Sequence, residues 1–178
     1  MKKITTILFA GLLSIVMVNT ADAQIEVGAG LVLGTGAYDG AGDVNNDIGL
    51  KVDGRYDINE QIAVGADFTF FFPKDESGVK FKLSALNLNG FYDFLNEEEF
   101  NLYGLAGLNI AFWEIEFPDV GGFFGGGSIS DTEIGLNIGA GAEYVMNFGN
   151  LFGEVKYVIS DLDQLVIAAG VRIPVGGN

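Results

Sequence analysis

The sequence contains no cysteine and no histidine, and these two absences remove several kinds of chemistry. Without cysteine there is no disulfide, no thiolate ligand and no cysteine nucleophile. Without histidine the chain lacks the commonest general base, the base of a Ser-His-Asp triad and the usual ligand of zinc. We therefore expect no catalytic, cofactor or metal site, and we predict that the protein is not an enzyme.

Basic residues are also scarce. Lysine and arginine number 9 against 24 acidic residues, which gives a net charge of −15 and argues against a surface that binds nucleic acid. Yet 49% of the 178 residues are apolar, and the mean hydropathy is +0.34. A composition that is both strongly acidic and this apolar is unusual for a soluble domain. It suggests that much of the surface is in contact with lipid.

Long apolar runs are absent except near the start of the chain. Residues 7–18 form a run of 12, shorter than the ~20 that a spanning helix needs. The run follows Lys2 and Lys3, and it precedes Ala21 and Ala23, the small residues that a signal peptidase reads. We predict a cleaved signal peptide over residues 1–23 and a single β-barrel domain over residues 24–178.

After residue 24 the sequence alternates between apolar and polar residues with a period of two, which is typical of strands. Eight such segments lie near residues 25–34, 48–56, 62–72, 79–94, 100–112, 134–144, 151–157 and 164–173. In the fourth segment the alternation changes phase between Leu83 and Leu86, which predicts a β-bulge there.

The connections between the segments are of two kinds. Short ones cover residues 57–60, 95–99 and 146–150, whereas longer Gly- and Asp-rich ones cover residues 35–46, 73–78 and 118–131; residues 160–163 are a short exception. Long and short connections alternate along the chain, as in transmembrane β-barrels. The pattern predicts an all-β fold, an eight-stranded antiparallel up-and-down transmembrane β-barrel with its longer loops outside the cell.

The composition of the two faces indicates which one meets lipid. Glycines and charges of both signs share the polar face, which suits the narrow interior of an eight-stranded barrel. Aromatic residues gather near the strand ends, as in the two interfacial girdles of such barrels. These residues are Tyr56, Phe94, Phe100 and Tyr144 at the short-turn end, and Phe70, Phe72, Phe81, Phe112 and Trp113 at the long-loop end. The alternative is a soluble exported lipocalin-like barrel that binds an apolar ligand.

Six acidic and four basic residues fall on the predicted inner face. They are Glu26, Lys51, Asp53, Arg55, Asp67, Asp93, Glu143, Glu154, Lys156 and Arg172. Because an isolated buried charge is costly, we expect the four cations to bridge the carboxylates and to close the lumen. The alternative is a narrow passive channel that conducts ions or small solutes past the same groups.

Two loops attract attention as possible binding segments. At the end of the acidic loop 35–46, the spacing of acidic and amide residues from Asp43 to Asp47 is like that of a calcium-binding loop. Ile48 and Gly54, however, occupy the positions where such a loop needs glycine and glutamate. The Gly-rich loop 118–131 lacks the lysine of a phosphate-binding loop. We expect both loops to face an unidentified extracellular partner.

The chain resembles the small outer-membrane β-barrel family, the OmpA/OmpX-like or porin-family group. The resemblance rests on the signal, on the eight alternating segments and on the sequences LAGL (105–108), GAGAEY (139–144) and AGVRI (169–173). The resemblance implies a monomer in the bacterial outer membrane, surrounded by lipid. It implies delivery by periplasmic chaperones and the barrel-insertion machinery. It also implies a role in envelope structure, adhesion or surface interaction.

Overall fold

The computed structural model describes residues 25–35, 46–76, 78–118 and 126–175 and contains nine strands in this part of the chain. The strands are β1 (Ile25–Thr35), β2 (Asn46–Asp57), β3 (Ile62–Phe71), β4 (Lys74–Glu76), β5 (Val79–Asn96), β6 (Phe100–Glu116), β7 (Ser128–Met146), β8 (Gly149–Ile159) and β9 (Gln164–Val175). The predicted signal peptide and most of the predicted loop 35–46 lie outside the described residues.

Eight of these strands close into an antiparallel barrel. Each pairs with its neighbour along the chain, β1 also pairs with β9, and the pairing of β3 with β5 completes the ring. The short β4 pairs with the start of β5, where Lys74 lies opposite Phe81. The predicted eight-stranded up-and-down barrel is confirmed. Because Ile25 lies opposite Val175, both ends of the described barrel are at the short-turn end.

Side chains alternate between a buried inner face and an exposed outer face. Along β8, Phe152, Glu154, Lys156 and Val158 are buried, whereas the intervening residues are exposed. Leu136 is 55% exposed although it is apolar. Around the barrel, many polar side chains are buried and many apolar side chains are exposed, the reverse of a soluble protein. The exposed apolar side chains therefore form a continuous outer band.

The described residues include no helix that is both long and apolar enough to cross a membrane.

Three neighbouring strands are much longer than the rest. β5, β6 and β7 contain 18, 17 and 19 residues, whereas the other barrel strands contain 10 to 12. The excess lies at the long-loop end, where the pairing continues to Lys80 opposite Glu116 and Glu116 opposite Ser128. There the outer face becomes polar. We call this extension, residues 79–84, 113–116 and 128–132, the ledge.

The structure corrects four details of the sequence-based prediction. The β5–β6 register runs without interruption from Lys80 to Asp93, so the bulge predicted between Leu83 and Leu86 is wrong; the register shifts only after Asp93. Phe81 and Trp113 pack against the buried interior cluster and do not belong to a lipid-facing girdle. The predicted connection 73–78 contains β4, and the last residues of the predicted loop 118–131 belong to β7.

Candidate functional site

All ten charged residues predicted for the interior are buried in the barrel. The most exposed of them, Asp53, is 9% exposed, and Arg172 is completely inaccessible. They come from β1, β2, β3, β5, β7, β8 and β9, so the network spans nearly the whole ring. Each lies on the strand face opposite the exposed apolar residues, because side chains of a strand alternate in direction.

Arg172 lies at the centre of the network and contacts three carboxylates. Its Nε donates to Asp53 Oδ2 at 2.6 Å, its Nη1 donates to Glu143 Oε1, and its Nη2 lies 3.6 Å from Glu154 Oε2. The fork-shaped donor arrangement of arginine allows one side chain to address several acceptors at once. The ring of Phe152 packs on the guanidinium, with its centroid 4.3 Å away.

Tyr103 connects this centre to the opposite wall. Its hydroxyl accepts a hydrogen bond from Arg172 Nη1 at 3.3 Å and donates one to Glu154 Oε2 at 3.3 Å. Gly141 makes room for the ring, because a Cβ atom at this position would lie 2.4 Å from it. A glycine on the inner face therefore allows a large side chain of the neighbouring strand to cross the lumen.

Two lysines share the carboxylates nearer the long-loop end. Lys51 Nζ donates to Glu154 Oε1 at 2.8 Å and lies 3.8 Å from Asp67 Oδ2. Lys156 Nζ lies 3.5 Å from the same Asp67 oxygen. Asp67 also accepts hydrogen bonds from Asn87 at 2.7 Å and from Asn89 at 3.2 Å. A ladder of asparagine amides thus extends the network toward β6 and β7.

Arg55 organises the network at the short-turn end. Its Nη2 donates to both oxygens of Asp93 at 2.9 and 2.7 Å, and its Nε donates to Asp57 at 3.0 Å. Its guanidinium carbon lies 5.2 Å from the ring centroids of both Phe91 and Tyr103. A guanidinium that reaches two different carboxylates through separate nitrogens and also stacks on aromatic rings is the setting that favours arginine over lysine.

An open vestibule of about 1120 Å³ lies at the short-turn end. Its floor includes Glu26, Arg55, Asp93, Asn101 and Glu143. The turns after β2 and β7 and the last residue of β5, Asn96, line its sides. The charge network therefore reaches solvent from this end of the barrel.

The lumen beyond the network, toward the long-loop end, is filled by apolar side chains. We call this cluster the apolar layer; its buried members are Val32, Phe71, Leu83, Ala111, Val158, Val166 and Ala168, and it extends to Phe152, which packs on Arg172. Phe81, Trp113 and Leu162 pack against it. The alternation of the sequence did not predict this layer, because it assigned these residues to no face or to the outer face.

A buried acidic residue was also missed. Asp47 is 4% exposed and forms an ion pair with Lys74 of β4. Asp47 lies at the edge of an acidic stretch and therefore reads as a loop residue in the sequence. Only the register of β2 shows that it points inward.

On the ledge, outward-facing charges form exposed pairs. Lys82 donates hydrogen bonds to Glu114 and Glu116, and these raise the pKa of Lys82; the bond to Glu116 contributes most. The same bond lowers the pKa of Glu116. The pair is therefore intact at neutral pH, and it is lost when the pH falls through the lowered pKa of Glu116 or rises through the raised pKa of Lys82.

A closed antiparallel barrel with an apolar outer band and a charged interior defines the class of transmembrane β-barrels, because closure satisfies every backbone group in the bilayer. Within that class, the chain belongs to the family described as the outer membrane protein beta-barrel domain, whose model matches residues 8–173. The protein is a bacterial outer-membrane protein. This location sets aside the alternative of a soluble lipocalin-like barrel.

Several solved barrels have the same fold. Neisserial surface protein A, NspA, is 21% identical, with a TM-score of 0.62 over 85% of this chain and 96% of that one. Ail of Yersinia pestis, in complex with a heparin analogue, is 21% identical, with a TM-score of 0.57 over 85% and 97%. OprG of Pseudomonas aeruginosa is 14% identical, with a TM-score of 0.62 over 88% and 97%. No curated protein sequence matches the chain.

Proposed function

We propose that the protein is a closed, non-enzymatic barrel that anchors the ledge at the cell surface for contact with an extracellular partner. The observation that carries this proposal is the combination of a filled lumen with three strands that continue beyond the apolar band. A filled lumen leaves no path for a solute. The elongated strands place a rigid, solvent-exposed surface above the membrane.

Two groups of side chains, one after the other along the barrel axis, fill the lumen and support the proposal that it is closed. The first is the ion-pair network around Arg172, and the second is the apolar layer on the long-loop side of it. An eight-stranded barrel has an interior narrow enough for side chains to fill. An ion on this path would have to separate Arg172 from its carboxylates and then cross a mainly apolar layer, which is strongly unfavourable.

The ledge has the properties of a contact surface. Ile129 is 57% exposed, and Phe117, which directly follows the ledge, is 45% exposed. Exposed pairs of Lys82 with Glu114 and Glu116 occupy its outer face. Sites built on regular strands hold their side chains more firmly than sites on loops. Two of the similar structures carry names in line with such a role, an attachment invasion locus protein and a surface protein.

Cell attachment tests the surface role. We expect diderm bacteria that express the protein to attach to a host-cell or matrix surface more strongly than cells with an empty vector. Phe117→Asp combined with Ile129→Asp is expected to abolish most of the gain, since it removes the exposed apolar contacts of this end. Attached cells are counted after washing.

The matched control is Ile58→Asp, an equally exposed apolar residue at the opposite end of the barrel. It is expected to leave attachment unchanged. Equal loss in the control and in the double variant, with all variants folded, would show that the ledge is not the contact surface.

Conductance distinguishes this function from that of a narrow passive channel. We expect no stable open level when the purified protein is inserted into a planar bilayer, because both groups of side chains block the lumen. Heat-modifiable migration in a detergent gel establishes that the inserted protein is folded. A reproducible open conductance from folded protein would favour the channel instead.

A further inference from the structure

We propose that the vestibule at the short-turn end binds small organic cations through a primary ammonium group. The proposed ligands are alkylamines and linear diamines. Their ammonium would lie against Glu26, Glu143 and Asn101 on the vestibule floor. This site is separate from the ledge, so it does not depend on the function proposed above.

The first observation is an uneven distribution of charge along the barrel axis. On the vestibule side, Arg55 faces Asp57, Asp93 and Glu143, with Glu143 also shared by Arg172. Deeper in the lumen the charges are close to balance, because Lys51 and Lys156 face Asp67 and Glu154. Negative charge in excess of the available cations therefore collects where the network meets solvent.

Glu26 is the carboxylate with the least compensation. It is 5% exposed, and its Oε1 accepts a hydrogen bond of 2.7 Å from Asn150. Among the described residues, no lysine or arginine forms an ion pair with it. Arg55 lies directly opposite Glu26 in the register of β1 and β2 but directs its nitrogens at Asp57, Asp93 and Glu143. Binding of a cation would stabilise a buried carboxylate of this kind.

The second, independent observation is an unpartnered buried amide oxygen on the same floor. Asn101 is 9% exposed and donates its Nδ2 to Asp93 Oδ1 at 3.1 Å, while its Oδ1 has no hydrogen-bond partner within the described part of the chain. Asn101 lies directly opposite Glu143 in the register of β6 and β7. Since buried acceptors are nearly always satisfied, this oxygen points to a donor that enters from the vestibule.

The chemistry of the floor selects an ammonium group. Glu26 and Glu143 offer carboxylate oxygens and Asn101 offers an amide oxygen, so an entering group needs several donors and a positive charge. A primary ammonium has three donors and no acceptor. The outer lining of the vestibule includes Ile58 and Phe148, against which the methylene chain of such a ligand can pack.

Side-chain amide NMR tests the proposal on the full barrel in detergent micelles. Titration with 1,4-diaminobutane is expected to shift the amide signals of Asn101 and Asn150 in a saturable way. The amides of Asn87 and Asn137, which lie deep in the network, are expected to move little. The neutral analogue 1-butanol is expected to cause no shift, and this comparison needs no variant.

Two variants that each replace one carboxyl group by an amide locate the site. Glu26→Gln is expected to weaken diaminobutane binding by about tenfold, because it removes a charge-assisted contact. Glu116→Gln on the ledge is the matched control and is expected to leave the affinity unchanged. Calorimetry gives both affinities, and heat-modifiable migration shows that both variants fold.

Three results would overturn the proposal. Shifts that grow linearly without saturation would indicate diffuse attraction to an acidic protein. Equal weakening by Glu26→Gln and Glu116→Gln would lead to the same conclusion. If Mg²⁺ alone shifted the Asn101 amide with equal or higher affinity, the vestibule would be a divalent-cation site and not an ammonium site.

Discussion

Replacing Arg172 by leucine is expected to destabilise the folded barrel by about 3–5 kcal/mol, the range for removing one partner of a buried ion pair. Arg172 is inaccessible to solvent and contacts Asp53, Glu143 and Glu154, so its loss leaves three buried carboxylates that share fewer cations. The loss of its packing against Phe152 adds to the effect.

Urea-driven unfolding from lipid vesicles, followed by gel migration, measures this change. Arg172→Lys is expected to recover only part of the stability, because one ammonium cannot replace three nitrogens aimed at three carboxylates. Lys82→Leu, which removes an exposed cation of the ledge, is the control and is expected to have little effect. A loss below about 1 kcal/mol for Arg172→Leu would show that water, and not Arg172, compensates the carboxylates.

The strand number and the direction of the interior charges follow from local sequence patterns. A period of two places Glu154 and Lys156 on one face of β8 and Val155 on the other, whatever the neighbouring strands do. Alternating long and short connections then fix the up-and-down order. For this reason the fold, the family and the outer-membrane location could be predicted without a structure.

The pairing of the charges could not be predicted in the same way. Lys51 and Glu154 form an ion pair although they are 103 residues apart, and Arg172 and Asp53, 119 residues apart, meet over Gly28 of the intervening β1. Such contacts depend on the stagger of the strands and on where glycines leave room. Gly141, which accommodates Tyr103, is one residue in a Gly-rich sequence that carries no mark of this role.

The apolar layer was missed for a different physical reason. Toward the long-loop end both faces of the strands carry apolar residues, as with Phe71 inside and Phe70 outside. The alternation of apolar and polar residues then no longer distinguishes the two faces. The change of phase between Leu83 and Leu86 therefore resembles a bulge. The opposite error occurred on the ledge, where the outer face meets water, so that Ser128 and Ser130 read as loop although they are paired strand residues.

Introducing arginine on the outer face of β7 is expected to distinguish the membrane-embedded part of that strand from the ledge. Leu136 and Ser130 point to the same side of β7, both are exposed, and they are separated by three repeats of the alternation. Leu136→Arg is expected to destabilise the barrel by about 2–4 kcal/mol, whereas Ser130→Arg is expected to change its stability by about 0–1 kcal/mol. The difference arises because arginine at the bilayer midplane must be moved out of water, while at Ser130 it remains hydrated beside Glu114.

Unfolding of both variants from vesicles of the same lipid gives the two values under identical conditions. Detergent micelles provide a second comparison, since a thinner and more adaptable apolar phase is expected to reduce the penalty at Leu136 and to leave Ser130→Arg unaffected. Equal penalties for the two variants in vesicles would place Ser130 inside the bilayer, and the ledge would then be part of the membrane-spanning wall. A loss of stability for Leu136→Arg alone would place the upper edge of the apolar band between Leu136 and Ser130. The ledge would then lie outside the bilayer, where it can contact a partner.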